Sequence, residues 1–234
     1  MDLDSFKLIL EHGVTINTSG STGEPKEIMQ TTRKLQYADK VAIDSQQITK
    51  DSKIYTVCKL QHAGGLLAQT LPALRIGAEV VVEDFSAYKW VKEITKYTHS
   101  HLTPNHAKAI MKTKGWRKLD LTGIWITCGS DPVPWDTISA FVEKGATFMA
   151  NWGMTEVGPC AVNTVFETLD KVEEYKHELT ILGDRFYCDT KIGPDGQLYI
   201  KGDISVYDDW FATGDIVKQE NNGYYFVQRV QHGH

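Results

Sequence analysis

The sequence predicts an α/β fold: a mainly parallel βαβ sheet flanked by helices, followed by a small antiparallel β subdomain. Three observations predict it. Between residues 53 and 150, short apolar runs of strand length alternate with amphipathic stretches of about ten residues, the pattern of right-handed βαβ crossovers. The run Val80-Val81-Val82 between Glu79 and Glu83 is apolar on both faces, as a central parallel strand must be. Beyond Val162 helical periodicity nearly vanishes, and short β-like runs are split by turns such as Asn221-Asn222-Gly223, a strong hairpin signal. The 234 residues suffice for one sizeable core, divided into an α/β subdomain over 1–161 and a β-rich subdomain over 162–234.

Each element has a local reason. Phe6, Leu8, Ile9 and Leu10 give a helical pattern that Gly13 stops, and Val14 to Asn17 alternate as a strand. Thr31 or Thr32 can cap a helix whose apolar side carries Leu35, Ala38, Val41 and Ala42. Lys53 to Cys58 reads as a buried strand, and 64–76 as a helix ended by Gly77. A helix over 87–97 presents Trp90, Val91 and Ile94, and a strand over 100–103 leads into Pro104, suited to the first helical position. Strands over 123–127 and 146–150 enclose a helix over 135–144. The charged stretch 169–177 is the last helical pattern, and strands are expected over 197–200, 215–217 and 224–227.

Composition excludes several classes. A hydrophobic fraction of 41% and a charged fraction of 24% are those of an ordinary globular chain. With a net charge of −5 and no clustering of Lys and Arg, a nucleic-acid surface is not expected. No window approaches the ~20 apolar residues of a membrane helix. The start, Met1-Asp2-Leu3-Asp4, is acidic where a signal peptide would be basic, so a cytoplasmic protein is expected. Cys58, Cys128, Cys160 and Cys188 form no CxxC pair and read as small buried residues. His99/His101 and His232/His234 have no further ligands nearby to make a zinc site.

The most chemical stretch is Thr18-Ser19-Gly20-Ser21-Thr22-Gly23-Glu24-Pro25-Lys26, read as a loop between a strand and a helix. Glycines let backbone N–H groups approach an oxyanion, hydroxyls donate hydrogen bonds and an ammonium neutralises charge, so the loop is suited to a polyphosphate. It is not a Walker A loop, because Lys26 is displaced from Gly23 and is followed by Glu27 rather than Ser or Thr. In a parallel sheet, ligands collect where loops follow the carboxyl ends of strands. His62-Ala63-Gly64-Gly65, Gly129-Ser130-Asp131 and Asn151-Trp152-Gly153-Met154-Thr155-Glu156 all follow predicted strands. The last offers an aromatic face, a hydroxyl and a carboxylate suited to a divalent cation. Asp215, in Thr213-Gly214-Asp215, adds a carboxylate at a turn.

Taken in order, these segments resemble the adenylate-forming superfamily of acyl- and aryl-CoA synthetases, luciferases and adenylation domains. Thr18 to Lys26 resembles its signature loop, His62 to Gly65 its acyl-pocket segment and Gly129-Ser130-Asp131 its adenine-side turn. Trp152-Gly153-Met154-Thr155-Glu156 resembles its Tyr-Gly-x-Thr-Glu motif and Thr213-Gly214-Asp215 its ribose motif, while Arg229 falls where the family has Gly-Arg. Among subfamilies the o-succinylbenzoate-CoA ligase type is the most similar.

The resemblance implies a nucleotide-binding core that takes ATP, Mg²⁺ and a small-molecule carboxylate and forms an acyl-adenylate plus pyrophosphate, with CoA or another thiol as a later acceptor. It implies that Ser19, Ser21, Thr22 and Lys26 hold the β- and γ-phosphates, with Thr18, Gly20 and Gly23 in the same loop. Thr155 and Glu156 would serve the α-phosphate and Mg²⁺. Trp152 would stack near adenine, beside Gly129, Ser130, Asp131, Asn151, Gly153 and Met154. Asp215 and Arg229 would hold ribose, and His62 would line the acyl pocket. The chain departs from the family pattern in four ways: Gln228 precedes Arg229, Trp152 replaces Tyr, Ser130-Asp131 is an unusual version of its turn, and little sequence flanks the motifs on either side. Those departures carry the expectation of slow adenylation, with a homodimer or a partner chain supplying the usual C-terminal domain and its lysine. A nucleotide-binding module without catalysis, or one half of a split ligase, is the alternative reading.

Overall fold

The computed structural model describes residues 3–18, 26–220 and 223–230. Its centre is a seven-stranded sheet comprising β3 (Lys53–Thr56), β4 (Glu79–Val82), β5 (His99–Leu102), β6 (Trp125–Cys128), β7 (Thr147–Met154), β8 (Gly158–Phe166) and β10 (Arg185–Phe186). The order is β10-β8-β7-β6-β5-β3-β4. The five strands from β7 to β4 run parallel, and β8 and β10 add antiparallel pairs at one side.

Helices cover both faces, and the strand residues explain why. In β6, Ile126 and Cys128 join a core built with Trp90 of α5 (Ala87–Glu93), Ala107 and Ile110 of α6 (Pro104–Met111) and Phe141 of α7 (Trp135–Glu143). Trp125 points the other way and packs with Ala42 of α2 (Thr32–Gln46), Met149 and Cys160. Alternation puts successive side chains on opposite faces, so a strand apolar throughout needs helices on both. Leu35 of α2 also meets Phe6 and Ile9 of α1 (Leu3–His12) and Leu66, Leu67 and Leu71. Thr31 caps α2 by accepting from the Lys34 N–H at 3.4 Å, and Thr103 and His106 form a capping box on α6.

The stretch expected as one helix over 64–76 is helical but not uniform. Short α3 (Ala63–Gly65) leads into a π-helical segment, Leu66–Thr70, and then α4 (Leu71–Arg75). The Leu71 N–H reaches back five residues to the Leu66 carbonyl. Gly77 follows at a φ of 79°, where glycine is favoured.

A five-stranded antiparallel sheet makes the second layer, in the order β11-β12-β13-β14-β9. Its strands are β9 (Thr180–Gly183), β11 (Asp189–Ile192), β12 (Gln197–Lys201), β13 (Phe211–Glu220) and β14 (Gly223–Arg229). α8 (Leu169–Tyr175) leads into it, with Val172 buried and Tyr175 half-buried against the core. The boundary at 161/162 falls inside β8.

Four expectations are corrected. Glu79–Val82 is an edge strand, not a central one, with Val82 exposed. Lys26–Gln30 is a strand, β2, paired with β1 (Val14–Thr18) in a separate antiparallel hairpin, so the glycine-rich loop connects two strands rather than a strand and a helix. Its polar alternation, with only Ile28 and Gln30 buried, carried too little hydrophobic signal to be read as a strand. Asn151 to Met154 lie within β7 rather than after it, and Asp215 lies within β13 rather than at a turn.

Candidate active site

A cleft of about 740 Å³ opens at the carboxyl ends of β3, β5, β6 and β7, under the β1–β2 hairpin. Thr18 and Lys26 reach it from the hairpin, His62 from the loop after β3, Ser130 from the loop after β6, and Thr155 and Glu156 from the β7–β8 turn. Ser19, Gly20, Ser21, Thr22 and Gly23 lie outside the described residues.

Backbone contacts set the Thr155-Glu156 turn. Gln30 Nε2 donates to the Thr155 carbonyl at 2.6 Å, and the Val206 N–H donates to the Glu156 carbonyl at 2.8 Å. Both carbonyls are thereby satisfied, and both side chains line the cleft. Gly153 faces the backbone of Gly158 and Pro159 so closely that a Cβ would collide with it. At Gly129 a Cβ would strike the Asn151 carbonyl, which explains a glycine where β6 leaves the sheet beside β7. Ser130 follows at a φ of 77°, an uncommon conformation for a residue with a side chain.

A smaller recess of about 180 Å³ adjoins the cleft and shares Ser130, Asn151, Gly153, Met154 and Arg229 with it. Asp131, Trp152 and Asp215 line only this recess. The Trp152 indole donates to Asp215 Oδ2 at 2.9 Å, and Arg229 Nη1 stands 3.5 Å from Oδ1. Among the described residues Oδ1 accepts no hydrogen bond, nor does Asn151 Oδ1, although both are buried. Burial pushes the Asp215 carboxyl above its ordinary value, against the opposing pull of Trp152 and Arg229. Unpaired buried acceptors of this kind are rare in native interiors and mark a place where a donor is wanted.

The family follows from the span of the match. Residues 14–206 match the AMP-binding enzyme family. The chain belongs to that family. Its similarity to an indoleacetate–CoA ligase of Aromatoleum aromaticum is 29% identity, covering 90% of this chain and 46% of the relative. A feruloyl-CoA synthase of an Amycolatopsis species is 27% identical over 90% of this chain and 48% of its own. The chain thus spans about half the length of the curated relatives it matches. Among solved structures, o-succinylbenzoate coenzyme A synthetase of Bacillus subtilis in complex with AMP superposes with a TM-score of 0.77 at 22% identity, over 93% of this chain and 49% of that one. ATP-bound MatB of Rhodopseudomonas palustris gives 0.76 at 18% identity, over 93% and 48%. These two likenesses establish the fold.

Within this AMP-binding fold, the sequence-derived residues separate into the two neighbouring spaces. Thr18, Lys26, His62, Thr155 and Glu156 line the cleft; Trp152, Asp131 and Asp215 line the recess; Gly129 shapes the wall without lining either. Cys58, Lys59, His101, Thr103 and His106 also line the cleft and were not among the expected site residues. His101 and Thr103 stand at the carboxyl end of β5, where the rule used for the other loops would have found them. His101 is 4% exposed and its Nδ1 has no hydrogen-bond partner among the described residues. Burial, with His106 nearby, pushes its imidazole down to about 4, so it is neutral at pH 7. Cys58 is held as a thiol, pushed up to about 12 by burial, with Sγ 3.3 Å from the His101 carbonyl and 3.7 Å from His106 Nδ1. All four cysteines are free, and Cys58, Cys128 and Cys160 are buried as expected. Among the described residues no cluster of three metal-ligating side chains occurs, and no helix is long and apolar enough to cross a membrane.

Proposed function

We propose that this chain is the core of an AMP-forming acid-activating ligase. It would bind ATP and a carboxylate, and the carboxylate would attack the α-phosphate to give an acyl-adenylate and pyrophosphate. The observation that carries the reading is the adjacency of two differently equipped spaces. One has an ammonium, hydroxyls and a single carboxylate; the other has an indole, a buried aspartate with an unpaired acceptor, and an arginine. Triphosphate chemistry suits the first, and a base with its ribose hydroxyls suits the second, where Asp215 Oδ1 would gain its missing donor. The relatives, a CoA ligase and a CoA synthase, support acid activation.

Lys26, Thr18 and the adjoining loop residues Ser19, Gly20, Ser21, Thr22 and Gly23 would hold the β- and γ-phosphates. Thr155 would donate to the α-phosphate. Asp215 and Arg229 would take the ribose, and Trp152 would lie beside the base, with Gly129, Ser130, Asp131, Asn151, Gly153 and Met154 forming the surrounding wall. His62 would face the acid. Glu156 is a single carboxylate donor, which fits Mg²⁺, an ion that keeps several waters and takes its other oxygens from phosphates. Bound there, the ion would neutralise the negative charge that accumulates on the pyrophosphate. CoA as acceptor, a partner chain or homodimer, and a cytoplasmic setting belong to the same proposal.

The test is carboxylate-dependent ATP–pyrophosphate exchange over a panel of acids, with Lys26→Ala and Glu156→Ala alongside. Exchange in the parent chain that falls about 100-fold in either variant is the expected result. Measurable ATP binding with no exchange for any acid would establish a nucleotide-binding module instead, and absence of ATP binding would overturn the reading.

A further inference from the structure

The cleft is unusual in what does not line it. Among the described residues, no aromatic ring other than imidazole and no Leu, Ile or Val side chain borders the 740 Å³. Its few apolar contributions come from Cys58, Ala63, Met154 and Pro159. His101 also lines it, buried, with an Nδ1 that has no hydrogen-bond partner among the described residues. His99, two residues earlier and also buried, engages both ring nitrogens, with Thr98 Oγ1 at 2.8 Å and the Gln46 carbonyl at 3.0 Å. The deficit is therefore local to the cleft rather than general to the strand.

Gly64 packs against the His101 imidazole. A Cβ at position 64 would stand 2.9 Å from His101 Cε1 and 3.2 Å from Ser130 Oγ, so glycine lets the backbone lie this close to both. Lys59 lies on the same rim, and its ammonium makes no ion pair among the described residues.

We propose that the acid activated here carries a second hydrogen-bonding group at its far end, a hydroxyl, oxo or second carboxylate, read by His101 beside Gly64. This rests on the reading that the cleft holds a carboxylate beside AMP. A purely apolar acyl group would leave His101 buried and unpaired, which disfavours it by about tenfold against a polar acid of equal size. The aromatic acids in the names of the relatives belong to those proteins; the lining here offers an aromatic ring little to pack against.

The experiment is calorimetric titration of the full chain with AMP and with non-hydrolysable acyl-sulfamoyl adenosines carrying succinyl, ω-hydroxybutyryl, pentanoyl and cinnamoyl groups. The ω-hydroxybutyryl and succinyl compounds should bind about tenfold more tightly than pentanoyl and cinnamoyl. His101→Leu should bring ω-hydroxybutyryl and pentanoyl to equal affinity, while His101→Gln, which keeps a hydrogen-bonding group, should retain part of the preference. AMP binding with pentanoyl equal to or tighter than ω-hydroxybutyryl in the parent chain overturns this inference alone. Persistence of the preference in a folded His101→Leu variant, checked by thermal melting, overturns the role of His101. Failure of AMP and every analogue to bind overturns the underlying reading as well. If His101→Leu does not fold, the parent ranking and His101→Gln decide.

Discussion

Asp39 and Asp215 are both buried aspartates facing an arginine, and both keep one carboxylate oxygen, Oδ1, without a hydrogen bond. Their surroundings differ. Asp39, on α2, is fully enclosed against Arg75 of α4, whose own Nη2 is buried and unpaired. Asp215, on β13, borders an open recess, and its partner Arg229 is about half exposed. Burial raises both carboxyls, that of Asp39 to about 6. One pair fastens two helices, while the other stands in the wall of a recess. A buried charge thus points to a site when a cavity adjoins it, and to architecture when packing closes over it.

The contrast predicts opposite readouts. Arg75→Met removes one partner of the closed pair and leaves a buried carboxylate uncompensated, so stability should drop by about 3 kcal/mol in urea denaturation. A loss below 1 kcal/mol would mean that the pair is not holding the helices.

The next effect is a pH dependence. Asp39 binds its proton more tightly in the folded than in the unfolded chain, because about 6 lies above the ordinary 3.8. Its contribution is therefore fully present below pH 4 and is lost as pH rises through 6, by on the order of 3 kcal/mol. The stability difference between the parent and Asp39→Asn should shrink accordingly over that window; a constant difference would show that Arg75 fully offsets the burial.

Smaller effects belong to the open pair. Asp215→Asn should change stability by less than about 1 kcal/mol yet weaken AMP binding about tenfold, since the amide is a poorer acceptor for hydroxyls. Trp152→Phe, which keeps an aromatic face but loses the donor to Asp215, should weaken AMP binding about fivefold. Equal losses in stability and affinity for either variant would erase the distinction between the two regions.

The parallel sheet, its helices and the segments bordering the cleft were legible because each is written locally. Val80 to Val82, Ile126 and the helix carrying Leu35 and Ala38 follow hydrophobic periodicity, and Gly13 and Gly77 end helices at positive φ. β2 was not legible, since Lys26 and Glu27 are exposed and its pairing with β1 is tertiary information. The edge position of β4 depends on strand order, which no single strand records. His101 carried no motif; its significance comes from an Nδ1 unpaired among the described residues and from the cleft it lines, which exist only once β3 and β5 lie side by side.

The π-helical turn over Leu66–Thr70 bears on how this chain tolerates change in length. Thr70 Oγ1 is 2.6 Å from Thr56 Oγ1 and donates to the Gly65 carbonyl at 2.8 Å, so the widened turn is clamped to β3. A π turn holds one residue more than the α-helix around it. Deleting a single residue between 66 and 70 would remove that extra residue and let the turn close into regular α geometry, with His62 and Gly64 before it and the leucines of α4 after it keeping nearly the same faces. A deletion within regular α-helix such as α4 would instead rotate everything before it by about 100°. The widened turn is therefore the place in this helix where chain length can change by one residue without turning that wall of the cleft away.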